Sequence, residues 1–326
     1  MSAQEFRHVP AAPSAGGIVL PAFRAQHAPR PGRVRVRFTS SGDAASGLPA
    51  IVVLGGVSAD ADVSGWWRAQ AGPGLAVDSR RFRVIGMDFI TGRGIEGAGC
   101  AHITTADQAD VLAATLNALH VRRVHALIGA SYGAMVALGF AARYPERLAR
   151  LVVISGAHYA HPRAIALRSI QRRIIRLARE AGRCEEGVAL ARALALTAYR
   201  EHAAFARFDG APRRFEDGFG FPVEDYLEHK GNSHAARVGA DDYLQLSESL
   251  DLHDVDPSGI TTPATLIASD PDFLVPLTQM QELAERLRGP ARLHVLRSPY
   301  GHDAFLKEDA KISSLLRDAL DTECFA

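Results

Sequence analysis

Hydrophobic residues in this chain fall into short continuous runs, separated by longer stretches where they recur every three or four positions. The runs occupy residues 50–54, 83–88, 124–128, 151–155, 263–269 and 291–296. Each is five to seven residues long and rich in Val, Ile and Leu, with little polar alternation. That pattern predicts strands buried on both faces, as in a parallel sheet. Residues 34–38, Val-Arg-Val-Arg-Phe, alternate strictly and predict an early antiparallel strand. Helical periodicity follows at 105–119, opened by Thr105 and Gln108 as a T-x-x-Q capping box, and at 134–144. Strand and helix signals in alternation give an α/β fold. From 156 to 256 the character changes to little strand signal and many arginines, with helices expected at 164–181 and 186–200. We therefore expect a flexible, alanine-, proline- and arginine-rich tail over 1–30, a core formed by 31–155 and 257–326, and a helical lid inserted as 156–256. A chain of 326 residues is longer than one uninterrupted core usually needs, and it contains no internal repeat.

The pentapeptide Gly129-Ala130-Ser131-Tyr132-Gly133 stands between the run at 124–128 and the helix that follows. A G-x-S-x-G in that place is the nucleophile elbow of α/β-hydrolase-fold enzymes, with a mostly parallel sheet and helices on both faces. Glycine at both flanks lets the turn close tightly and leaves the serine exposed at the sheet edge. The expected partners follow in the order serine, acid, histidine. The strand at 263–269 runs into Asp270-Pro271-Asp272, of which Asp272 is the better placed acid, and the last strand is followed by Gly301-His302. Ser131, Asp272 and His302 are thus the candidate triad: the imidazole takes the hydroxyl proton and the carboxylate fixes its tautomer. The oxyanion hole is expected from the N–H of Tyr132 and that of Val57, or Gly56, in the loop after residue 54.

Charge and cysteine content narrow the function further. There are 37 basic and 36 acidic side chains, which leaves no electrostatic footprint for nucleic acid. No apolar run approaches the ~18 residues of a membrane span. Three scattered cysteines fit a reducing, cytoplasmic setting and no metal site. The glycine-rich loop at 91–99 lacks the lysine and serine of a phosphate-binding loop. Trp66 and Trp67 are expected to pack beneath the active-site loop.

Three segments together resemble one family. Gly-His-Asp-Ala-Phe-Leu at 301–306, Gly65-Trp66-Trp67 before Gly72-Pro73-Gly74, and Ala191-Arg192-Ala193-Leu194 running to Thr197-Ala198-Tyr199-Arg200 are similar to the homoserine O-acyltransferases of the α/β-hydrolase superfamily. The resemblance runs from about Val34 to Leu320. Two positions depart from it: Ala134 stands where the elbow usually has a second glycine, and Leu54-Gly55-Gly56-Val57-Ser58-Ala59 replaces a loop that usually reads H-A-L-T-G.

The resemblance implies ping-pong transfer of an acyl group from an acyl-CoA co-substrate through Ser131 to L-homoserine, in methionine biosynthesis, with no bound cofactor and a homodimeric state. It also implies that Arg192 and Asp303 meet the carboxylate and ammonium of the acceptor, with Tyr199 beside them. Leu274, two positions beyond the triad aspartate, stands where succinyl-using relatives often carry arginine and so points to acetyl-CoA. Arg168 or Arg172 could instead supply a cation for succinyl-CoA. Serine as acceptor and plain ester hydrolysis remain the alternatives.

Overall fold

The computed structural model describes residues 14–42, 47–99 and 101–321; the expectations for 1–13, Cys100 and 322–326 lie outside them. In chain order the elements are β1 (Ser14–Phe23), β2 (Gly32–Ser41), β3 (Ala50–Leu54), α1 (Val63–Trp66), β4 (Arg83–Met87), β5 (Ile95–Glu96), α2 (Thr105–Ala118), β6 (Ala126–Ala130), α3 (Tyr132–Arg143) and β7 (Leu151–Ile154). There follow α4 (Pro162–Glu180), α5 (Cys184–Tyr199), α6 (His202–Phe205), β8 (Arg213–Arg214), β9 (Phe219–Gly220), α7 (Pro222–Ala235) and α8 (Ala240–Asp251). The chain then returns through β10 (Ala264–Asp270), α9 (Leu277–Arg286), β11 (Ala291–Arg297) and α10 (Asp309–Asp321).

Among the described residues nine strands form one sheet, eight in the order β1-β2-β4-β3-β6-β7-β10-β11 and β5 pairing on β2. From β4 to β11 every pairing is parallel, while β2 is antiparallel to β1, β4 and β5. Alternate residues of each central strand face opposite layers. Val52, Leu54, Leu127 and Val153 join α2 and α3 in one apolar cluster, whereas Ile51, Val53, Ile128 and Ile154 join α10 in another. Both faces of these central strands are buried, and this is why they read as unbroken apolar runs, whereas β11 at the sheet edge is mostly exposed.

The segment between β7 and β10 adds no strand to this sheet. It is helical apart from the small β8–β9 hairpin, which the sequence pattern did not foretell. The expectation of a flexible tail over 1–30 is corrected where that stretch is described: Ser14–Phe23 is a strand paired with β2 from Ser14 opposite Ser40 to Phe23 opposite Gly32. Only Ile18, Leu20 and Phe23 reach the core, so most of the segment's order comes from backbone hydrogen bonding that hydropathy does not register. The capping box also shifts by one residue. Thr104 caps α2 by accepting from Asp107 N–H, and Asp107 accepts from Thr104 N–H. Gln108 faces inward instead, bonding the backbone of Ile90 and donating to the hydroxyl of Tyr132.

Candidate active site

Ser131 sits between β6 and α3 with φ 54° and ψ −116°, a strained backbone for a residue bearing a side chain. Close packing holds it there. A Cβ on Gly133 would stand 2.2 Å from the carbonyl oxygen of Leu54, and one on Gly129 would stand 2.3 Å from that of Gly133. Neither flank admits a larger residue, so the G-x-S-x-G spacing follows from β3, β6 and α3 converging at one point. Ser131 N–H donates to Ile154 O (2.8 Å), which ties the elbow to β7.

The last strands deliver the other two groups. Asp272 lies in the turn after β10, where its Oδ1 accepts from the N–H groups of Leu274 (2.8 Å) and Val275 (3.0 Å). Its Oδ2 accepts from His302 Nδ1 (2.7 Å), and His302 Nε2 accepts from the Ser131 hydroxyl (2.8 Å). Asp270, the other acid weighed from sequence, stays at the end of β10. His302 follows Gly301, whose φ is +52° and where a Cβ would stand 2.4 Å from Tyr199 O. Burial works against the His302 imidazolium, but the charge and hydrogen bond of Asp272, helped by Asp303, outweigh it and raise the pKa above the usual imidazole value.

Tyr132 N–H opens α3, and Gly56 lies beside the serine, where a Cβ would stand 3.7 Å from Ser131 Cβ. The N–H groups of Tyr132 and Val57 meet no acceptor among the described residues. The Tyr132 ring is fully buried, and its hydroxyl shares a 2.7 Å hydrogen bond with Ser249 of α8.

Two cavities meet at Ser131, His302, Arg192 and Tyr199. The inner one spans about 860 Å³, counting its mouth, and is walled by the inserted helices through Arg168, Gln171, His234 and Tyr243, with Leu274 from the core. The outer one spans about 720 Å³ by the same measure and brings in Gly56, Trp66, Arg237 and Asp303. Arg192 stacks on the ring of Tyr199 (5.4 Å) and has no hydrogen-bond or ion-pair partner among the described residues. Tyr199 in turn lies against His302, ring centres 5.6 Å apart. All three residues expected to bind the acceptor, Arg192, Tyr199 and Asp303, therefore line one cavity with Ser131. Asp303 is already engaged by Arg200, which sequence reasoning passed over.

Arg168, which lines the inner cavity, shares one acid with Arg172: Arg168 Nε donates to Asp251 Oδ1 (2.5 Å), and Arg172 Nη1 lies 2.6 Å from Oδ2. The second terminal nitrogen of Arg168 is buried with no acceptor among the described residues. His234 went unnoticed in the sequence; burial, then Arg192 and Arg237, lower its pKa to about 4, so it lines the cavity as a neutral ring. Arg213 of β8 is paired with Asp225. Trp67 donates to Phe305 O (3.0 Å) and stacks with Trp66, which supports the loop that carries His302. Among the described residues no group of three or more His, Cys, Asp or Glu side chains is arranged to hold a metal ion, and no helix is long and apolar enough to cross a membrane.

Comparison with known proteins adds to this geometry. A family model for the alpha/beta hydrolase fold matches residues 49–309. A homoserine O-succinyltransferase of Xanthomonas campestris pv. campestris is 42% identical over 298 residues, covering 89% of this chain and 79% of that protein. A homoserine O-acetyltransferase of Leifsonia xyli subsp. xyli is 34% identical over 297 residues, covering 78% and 73%. Among solved structures, homoserine O-acetyltransferase from Bacillus anthracis superposes with a TM-score of 0.84 over 97% of this chain and 100% of that one. At 16% identity that likeness speaks for the fold alone.

Proposed function

This chain belongs to the homoserine O-acyltransferases of the α/β-hydrolase fold, and from that membership we propose a ping-pong transfer through Ser131 with succinyl-CoA as donor. His302 takes the Ser131 proton as Oγ attacks the thioester carbonyl. The N–H groups of Tyr132 and Val57 receive the oxyanion, and such donors are typically worth about 3 kcal/mol each in the transition state. The C–S bond breaks and His302 returns the proton to the departing thiolate. The homoserine hydroxyl then loses its proton to His302 and attacks the acyl-serine carbonyl, and Ser131 Oγ leaves with that proton.

The helices inserted between β7 and β10 serve as the lid. They keep bulk water from the acyl-serine while the acceptor is positioned. Arg192, without an anion of its own, receives the acceptor carboxylate, and Asp303 receives the ammonium. A hydrolase would have no use for an unpaired guanidinium and a carboxylate on either side of its nucleophile.

One observation carries the choice of donor: the orphaned nitrogen of Arg168, a residue that lines the inner cavity. A buried donor without an acceptor costs about 1–3 kcal/mol, which a carboxylate at the far end of the acyl group would relieve. Leu274 borders the same cavity as an apolar wall and favours the smaller acetyl group; it offers nothing to satisfy Arg168. The test is thiol release from purified protein with succinyl- or acetyl-CoA, each with homoserine, with serine, and with no acceptor. We expect sustained release, beyond one CoA per Ser131, that requires succinyl-CoA and homoserine. Sustained release independent of any acceptor would mean hydrolysis, and a preference for acetyl-CoA would overturn the donor assignment.

A further inference from the structure

We propose that Arg200 is a positioning residue that holds Asp303 by one carboxylate oxygen and leaves the other free for the ammonium of the acceptor amino acid. The inference rests on the acceptor-binding role given to Asp303 above. Arg200 is the first residue beyond α5, and its side chain is only 11% exposed, that of Asp303 10%. Arg200 Nε (3.0 Å) and NH2 (2.9 Å) both donate to Asp303 Oδ2. Its NH1 donates to the hydroxyl of Tyr226 on α7 (2.8 Å), which fixes the plane of the guanidinium.

The usual arginine–carboxylate fork engages both oxygens and leaves the acid satisfied. Here one oxygen takes both donors. Oδ1 takes none from the described residues, and Asp303 borders the outer cavity beside Ser131 and Arg192. The pairing also offsets the cost of a carboxylate withdrawn from water before any acceptor arrives.

The same end of α5 is docked onto the loop that carries the catalytic imidazole. Glu201 N–H donates to Pro299 O (3.1 Å), and Tyr199 O lies where a side chain at Gly301 would have to go. Arg192 lies seven residues earlier on that helix than Tyr199, two turns away along one face. One rigid helix therefore carries the cation for the acceptor carboxylate and, at its end, the residue that aims the anion for its ammonium. The distance between the two recognition groups is set by α5 and its docking, and Arg200 is the contact that transmits it.

The experiment separates the half-reactions. Pre-steady-state release of CoA without acceptor reports acylation of Ser131; steady-state transfer at varied homoserine reports the acceptor KM. For Arg200→Met we expect acylation within about twofold of wild type and an acceptor KM raised about tenfold or more. Arg200→Lys, which retains a charged donor for Oδ2, should recover most of that loss. If Arg200→Met does not fold, Arg200→Gln takes its place, with Tm as the check. An unchanged acceptor KM, or an equal loss in both half-reactions with no recovery by lysine, overturns the proposal. Asp303→Asn keeps the two ideas apart. If it leaves the acceptor KM unchanged, the role of Asp303 itself fails; if it raises KM while Arg200→Met does not, only the inference about Arg200 fails.

Discussion

Asp272 and His302 share a 2.7 Å hydrogen bond between side chains that are 1% and 6% exposed, so an imidazolium formed at His302 in the proposed reaction would have its counter-ion already in place and little exposure to solvent. Because this raises the His302 pKa, the working neutral form is lost as pH falls through a value above the ordinary ~6.5 of histidine. The acid limb of kcat/KM should lie above that value. Asp272→Asn should lower the limb and cost on the order of 10⁴-fold in kcat, because the tautomer is no longer fixed. Rate profiles across pH for both proteins check this.

Arg168 should decide between donors. Arg168→Leu is expected to reduce kcat/KM for succinyl-CoA by about 10–100-fold, the loss of one charge-assisted pair, and to change that for acetyl-CoA little. Competition between the two thioesters, read from the mass of the product, measures the ratio. Equal losses for both would mean that Arg168 only supports the lid through Asp251.

The elbow tolerates no added methyl. Gly133→Ala would force a Cβ to 2.2 Å from Leu54 O, backbone against backbone, with no side chain to move aside. We expect a loss on the order of 3 kcal/mol or more, read as a lower denaturation midpoint and little folded protein.

Acid should weaken the fold through its buried neutral histidines. Burial lowers the pKa of both His234 and His253 to about 4, whereas in the unfolded chain each titrates near 6.5. Between those values the unfolded state binds protons that the folded state refuses. Stability should therefore fall with pH by about 1.4 kcal/mol per unit for each ring. His253 is held between the Thr105 hydroxyl (2.7 Å) and Ala157 O (2.9 Å). The His234 ring has no hydrogen-bond partner among the described residues, so His234→Leu should flatten the slope, as urea midpoints from pH 7 to pH 4 would reveal.

Much of this architecture is legible in the chain because the sheet is covered on both faces. Runs such as Ile51-Val52-Val53-Leu54 have one physical explanation, and the elbow glycines leave a spacing that few other turns require. The triad order follows from that topology. Harder to read was whatever depends on backbone pairing or on side chains meeting across the fold. Ser14–Phe23 is ordered by its partner strand more than by its own apolar content. Thr104 and Asp107 made a capping box one residue ahead of the pair that the T-x-x-Q spacing suggested. Arg200 is one arginine among many in the inserted segment, and only the folded chain brings it to Asp303, 103 positions away. Arg168 and Asp251 are likewise 83 positions apart.

In the proposed reaction Ser131 carries the acyl group between two substrates. Mass spectrometry of protein quenched rapidly after mixing with equal succinyl- and acetyl-CoA, without acceptor, puts that to the test. A succinyl adduct is expected on the peptide that contains Ser131, discharged on adding homoserine and absent from Ser131→Ala. An adduct on another residue, or full homoserine-dependent turnover by Ser131→Ala, would contradict it.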